Sequence, residues 1–219
     1  MSFFSDPISL AALVIAALAG FKLWQVLGRK DDVVPERVDN LTPSGSDLEL
    51  KAVEVPPRVV WEGIAPEDSS LAQGLQSIAA LDAEFDTAKF IENARAAHES
   101  ILSAFATGDI KKLETLLSKS AYDIFAKEIE RRKQASELAV FKFIRGLNAQ
   151  IMSASLQGKE ALISVAFTSE LVSAIKDAKG NVISGDEKAI ARVNEQWIFG
   201  RDFGQAQTRW RLLETHDAA

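Results

Sequence analysis

The sequence contains no cysteine, which excludes disulfides, thiolate metal ligands and a cysteine nucleophile. Its two histidines, His98 and His216, are too few for a multi-histidine metal centre, so neither a metal nor a cofactor is expected. Excess positive charge is also missing. The net charge is −6, which argues against nucleic acid as a partner. No glycine-rich phosphate loop follows a strand, because Gly180 and Gly185 read as hairpin turns. The single tyrosine, Tyr122, is expected to pack its ring into a core and keep its hydroxyl in water. What is present is average: over 219 residues, 47% are hydrophobic and 26% charged, which excludes pervasive disorder, collagen and a coiled-coil fibre. That length holds one ordinary domain plus appendages.

The average hides three unequal parts. Residues 1–30 carry three basic side chains and one acid, residues 31–84 carry 3 basic and 12 acidic, and residues 85–219 carry 19 basic and 18 acidic. Five of the six prolines fall between Pro35 and Pro66. This pattern reads as an anchor over 1–30, a linker over 31–69 and a folded domain over 70–219.

From Pro7 to Phe21 no residue is charged, and the apolar run continues to Leu27. A helix from Ile8 to Leu27 spans roughly 30 Å, the thickness of a bilayer's hydrocarbon. Lys22 can snorkel to the interface, where Trp24 also belongs. Lys22, Arg29 and Lys30 lie on the C-terminal side and no basic residue precedes the run. The positive-inside rule therefore predicts a single-pass inner-membrane protein whose C-terminal domain is cytoplasmic. Two rivals fit less well. A signal peptide cut after Ala17-Leu18-Ala19 lacks a basic start, and a buried core helix would run straight into a charged linker.

The linker's prolines and acids favour an extended, solvated spacer. The sharper reading makes Val59, Val60 and Trp61, set between acidic neighbours, a docking strip for a basic partner. Beyond it, Leu71, Leu75, Ile78 and Leu81 form one helical stripe capped by Ser69 or Ser70 and weakened by Gly74. Asp86 or Thr87 caps a second helix bearing Phe90, Ile91, Ala94, Ala97, Ile101, Leu102 and Phe105, which Gly108 ends. Asp109 opens a short helix. Ser118 or Ser120 opens another, with Ala121, Tyr122, Phe125 and Ile129 inward and Arg131, Arg132 and Lys133 outward.

The period then drops to two. Residues 139–144 read as a strand, Gly146 and Asn148 as a bend, and Ile151–Leu156 as a further strand. Ile163, Val165, Phe167 and Leu171 alternate along the next. Asp177–Asn181 is a hairpin turn before the strand of Val193, Trp197 and Phe199, and Trp210 and Leu212 mark the last strand. Helices followed by consecutive antiparallel strands give an α+β fold with the helices on one face of a sheet.

These residues carry a resemblance. The features are Val26-Leu27-Gly28-Arg29-Lys30 closing the apolar run; Phe85-Asp86 with Phe90 and Phe105-Ala106-Thr107-Gly108-Asp109; Leu116-Leu117-Ser118 with Tyr122 and Phe125; the Asp177–Ile183 turn; and Glu195-Gln196-Trp197-Ile198-Phe199-Gly200-Arg201-Asp202 with Trp210-Arg211-Leu212. Their order and spacing resemble the bacterial TimA family of Tim44-like proteins, over residues 1–30 and about 70–216. The resemblance implies a cone similar to nuclear transport factor two, in which a concave sheet leaves a pocket against the helices. In the mitochondrial members it implies a tether that joins a DnaK-type chaperone to the inner-membrane translocase and associates with cardiolipin. The acidic linker here differs from those members' long basic N-terminal region.

The expected pocket lining is Phe143, Phe167, Val193, Glu195, Trp197 and Phe199, with Lys22, Trp24, Arg29 and Lys30 at the membrane interface. Each of the aromatic residues also fits an ordinary core position. Glu195 is the best candidate acid or base, since period two puts it on the apolar face with Val193 and Trp197. The plainer reading pairs it with an arginine, for which Arg145 is a candidate, or leaves it at a rim. His98 reads as a hydrogen-bonded residue on the flank of its helix, and His216 as solvated. The Arg131-Arg132-Lys133 run reads as a solvated helix end, or more sharply as a contact for anionic lipid heads. The expected function is a membrane-anchored, non-catalytic adaptor. It holds a protein partner, a chaperone or a membrane-protein complex, at the inner membrane for protein translocation or complex assembly. The alternative is a pocket domain for a lipid or small apolar ligand; an isomerase-like enzyme is the third reading.

Overall fold

Hydroxyl and carboxylate caps start each of the described helices. The structure is a computed structural model that describes residues 64–66, 68–205 and 208–217. Ser69 accepts from the Ala72 amide and opens α1 (Ser70–Leu81); Asp86 accepts from the Lys89 amide and opens α2 (Thr87–Thr107). Asp109 and Ser118 do the same for α3 (Ile110–Leu116) and α4 (Lys119–Gln134). Each cap satisfies an amide that has no partner within its helix. Gly108, with φ 72°, takes the left-handed conformation that closes α2. The membrane-interface residues Lys22, Trp24, Arg29 and Lys30, and residues 31–63 of the expected linker, lie outside the described residues. Ile64 and Ala65 are half-buried against the core just upstream of α1.

Four antiparallel strands follow in the order β1-β2-β3-β4: Leu138–Gln157, Glu160–Lys176, Val182–Asp202 and Arg211–Asp217. The fold is therefore α+β, with the helices packed on one face of a four-stranded sheet. The bend expected at Gly146 and Asn148 does not divide β1. The strand runs on for 20 residues and absorbs the bend as register shifts at Phe143/Arg145, Gly146/Asn148 and Ile151/Ser153. A bulge leaves its extra residue unpaired and curves the strand without ending it. Gly185 does not sit in a hairpin turn. It lies within β3 opposite Ala174, with φ 74°, next to a shift in which the partner of Leu171 is Ala191 and that of Ser173 is Asp186.

The Asp177–Asn181 turn is as expected. The Asp177 carboxylate accepts from the Asn181 side chain and from the amides of Asn181 and Lys179. Those bonds, led by the Asn181 side chain, hold its pKa below the usual aspartate value.

Register fixes the inner face. Ile163 faces Phe199, Val165 faces Trp197, Phe167 faces Glu195 and Ser169 faces Val193. Paired residues point to the same side, so this row forms the floor on which the helices lie. Leu75 and Ile78 of α1, Ile101 of α2 and Leu113 of α3 join it in one core with no exposed surface. Gly74 is no weakness in α1. A Cβ there would lie 2.0 Å from the Ala154 carbonyl oxygen, so its absence lets α1 settle directly on the β1 backbone. Among the described residues no helix is long and apolar enough to cross a membrane.

Candidate functional site

The centre of the inner face holds two polar side chains. His98 Nε2 shares a hydrogen bond with Glu195 Oε2 at 2.9 Å, and both residues are at most 3% exposed. His98 does not lie on the flank of α2. Phe90, Ala94, His98, Ile101 and Phe105 are all buried, at spacings of four, four, three and four. That places the imidazole in the middle of the apolar stripe. It stacks on Phe167 (centroids 4.4 Å apart, planes 13° apart) and tilts against Trp197 at 4.5 Å. Glu195 lies on the apolar face as its period requires, but neither Arg145 nor a rim accounts for it. Arg145 instead pairs with Glu170 at 2.8 Å.

The six expected lining residues fall on one face yet border different spaces. Trp197 is 1% exposed and packs between Phe167 and Phe199, with ring centroids at 5.7 and 6.3 Å. Phe143 and Phe167 border a cleft of about 200 Å³ beside His98. Val193 and Glu195 border a smaller cavity of about 50 Å³. Phe199 borders the largest cleft, about 370 Å³, between the start of α2 and the end of β3.

The largest cleft is built mainly from residues outside the expected set. Phe85, Phe90 and Trp210 join Phe199 as its aromatic wall; Phe90 and Trp210 meet edge-on at 5.0 Å, and Phe90 and Phe199 at 6.0 Å. Asp82, Glu84, Asp86, Lys89 and Arg201 form its charged border. Arg201 donates to Asp82 at 2.7 Å, tying the end of β3 to the turn after α1. Its guanidinium also lies 4.6 Å from the Phe203 ring centroid. Apolar walls within a charged border suit a segment with an apolar anchor and polar flanks. Among the described residues no three His, Asp or Glu side chains gather as a metal site would require.

The family model of the Tim44-like domain matches residues 71–217, which span these helices and strands. The chain belongs to the Tim44-like domain family. It is similar to the mitochondrial import inner membrane translocase subunit TIM44 of Rattus norvegicus, 24% identical over 149 residues that cover 67% of this chain and 33% of the relative. A probable subunit of the same kind, tin-44 of Caenorhabditis elegans, is 22% identical over 152 residues, covering 68% and 36%. The chain thus spans about a third of the length of the curated relatives it matches. Among solved structures it is similar to the intermembrane space region of the chloroplast protein ARC6, with 12% identity and a TM-score of 0.42, covering 59% of this chain and 96% of that one.

In this Tim44-like domain the basic run at the end of α4 is not uniformly solvated. Arg131 is held between Glu128 and Glu137, each at 2.8 Å. Its hydrogen bond is the main reason the Glu137 carboxyl titrates below the usual range. Arg132 points inward and is 7% exposed. The signal was present in the sequence: Phe125, Ile129 and Arg132 are spaced by four and three, so Arg132 continues the apolar stripe.

Proposed function

We propose that this Tim44-like protein is a non-catalytic adaptor that holds a protein partner at the inner membrane, through the aromatic cleft of its folded domain. The observation that carries this reading is the cleft of about 370 Å³ between α2 and β3, walled by Phe85, Phe90, Phe199 and Trp210. The buried acid–base pair supports the same reading. His98 Nε2 and Glu195 Oε2 engage each other, and their side chains are only 3% and 4% exposed, as in a structural pair. In this proposal residues 1–30 form a single-pass anchor through the bacterial inner membrane, with Lys22, Trp24, Arg29 and Lys30 at the cytoplasmic interface. Residues 31–69 are a spacer, and the domain over 70–219 works in the cytoplasm. The names of the mitochondrial relatives suggest protein translocation as the setting.

A photo-crosslinking residue at the exposed Glu84, on the cleft border, tests the adaptor reading. In native membranes it should give a discrete adduct with a second protein. The same residue at Met152, which is 51% exposed and away from the cleft, should give none. Equal labelling at both positions, or labelling at Met152 alone, would remove the cleft from the account. Topology has its own test: protease added to intact spheroplasts should leave residues 85–219 uncut, and digestion from outside would reverse the orientation.

The second reading, an apolar ligand in the cleft, is favoured by the aromatic wall. It predicts lipid carried through purification in place of the protein adduct.

A further inference from the structure

Arg132 is a buried cation without a buried anion. Its Nη2 donates to the Phe105 carbonyl at 2.6 Å, and its guanidinium lies 4.3 Å from the Phe105 ring centroid. Its Nε is buried and has no hydrogen-bond partner among the described residues. No carboxylate among those residues pairs with it, because Glu128 and Glu137 are both engaged by Arg131. Burial pushes its pKa down from the usual arginine value, yet a guanidinium stays charged at any physiological pH. A desolvated charge with an unused donor is destabilising unless something supplies an acceptor.

The space beside it indicates what would do so. Arg132 borders the cavity of about 50 Å³ under the ends of α2 and α4, where Leu102, Phe105, Val140, Phe141 and Ile175 form apolar walls. Leu102, Val140 and Phe141 are only half-buried, so the apolar surface continues to solvent. Leu138 and Val182 both pair with Lys176 and are 62% and 42% exposed, which extends aliphatic surface along the same end of the sheet. Glu195 also borders the cavity, but its Oε2 is engaged by His98. Besides that carboxylate, the groove offers one planar cation among aliphatic walls. Guanidinium matches a carboxylate, and the enclosed volume suits that group with its first methylenes.

We propose that this groove binds an aliphatic monocarboxylate, with Arg132 receiving the carboxylate and the Leu102–Val140–Phe141 wall receiving the chain. The site is separate from the aromatic cleft and does not depend on the adaptor reading.

The test is titration of the full chain with octanoate, using octylamine and 1-octanol as controls of equal chain length. Binding is followed by calorimetry and by the Nε–H resonance of Arg132. Octanoate should bind saturably and shift that resonance, and both controls should bind at least about tenfold more weakly. Arg132→Gln should lower octanoate affinity by about tenfold or more. Because that change also removes the bond to Phe105, Ala106→Phe provides a second variant: it narrows the groove, leaves Arg132 in place and should weaken octanoate equally. Octanoate binding no tighter than the alcohol or the amine would overturn the proposal. So would binding that survives Ala106→Phe, or no saturable binding up to about 10 mM.

Discussion

Replacing His98 by leucine is expected to destabilise the domain by about 3–5 kcal/mol, the cost of leaving one member of a buried polar pair without its partner. Glu195 would stay 3% exposed among Phe167, Val193 and Trp197, with its hydrogen bond to His98 gone. Replacing both residues by leucine should recover most of that loss, since a buried pair and an apolar pair of similar volume are often close in stability. Denaturant unfolding of wild type, His98→Leu, Glu195→Leu and the double variant closes the cycle. A His98→Leu cost below about 1 kcal/mol would mean that Glu195 finds another partner, and the pair would lose its structural role.

Trp197→Ala should be comparably severe, about 3–5 kcal/mol, because the indole is 1% exposed and borders none of the three cavities. A pocket-lining tryptophan would cost less and would lose binding in a folded domain. The indole also carries a buried Nε1–H without a partner among the described residues. Trp197→Phe removes that donor along with part of the ring, so the two effects offset and the net cost should be near 1 kcal/mol. Thermal or denaturant melts of the two variants check both values. A small effect of Trp197→Ala would return this residue to the pocket lining.

The elements of the fold were legible because they follow local rules. Ser69, Asp86, Asp109 and Ser118 cap their helices, and Val193, Glu195, Trp197 and Phe199 share a buried face as period two requires. What was not legible depends on contacts far apart in the chain. His98 meets Glu195 across 97 positions, and Arg201 meets Asp82 across 119. No local pattern names such partners, although the spacing of His98 and Arg132 on their stripes does indicate that both point inward. The cleft wall was missed for a similar reason. Phe85, Phe90, Phe199 and Trp210 come from the turn before α2, from α2, from β3 and from the approach to β4, and only the fold brings them together.

Gly146 and Gly74 show the limit of residue types taken singly. The first reads as a break yet sits within one strand whose bulges supply the curvature. The second reads as helix-weakening yet permits the closest approach of α1 to β1.

In the adaptor proposal, function lies in the aromatic cleft and the buried acid–base pair is structural. Growth complementation by two full-length variants tests it most directly. Asn93→Trp places an indole from an exposed α2 position into the cleft, and Glu195→Gln keeps a hydrogen-bonding partner for His98 while removing the carboxylate. With melting temperatures of both near wild type, Asn93→Trp should fail to complement and Glu195→Gln should complement fully. Loss of complementation by a folded Glu195→Gln, or full complementation by Asn93→Trp, would contradict the claim and move the working site to the His98–Glu195 pair.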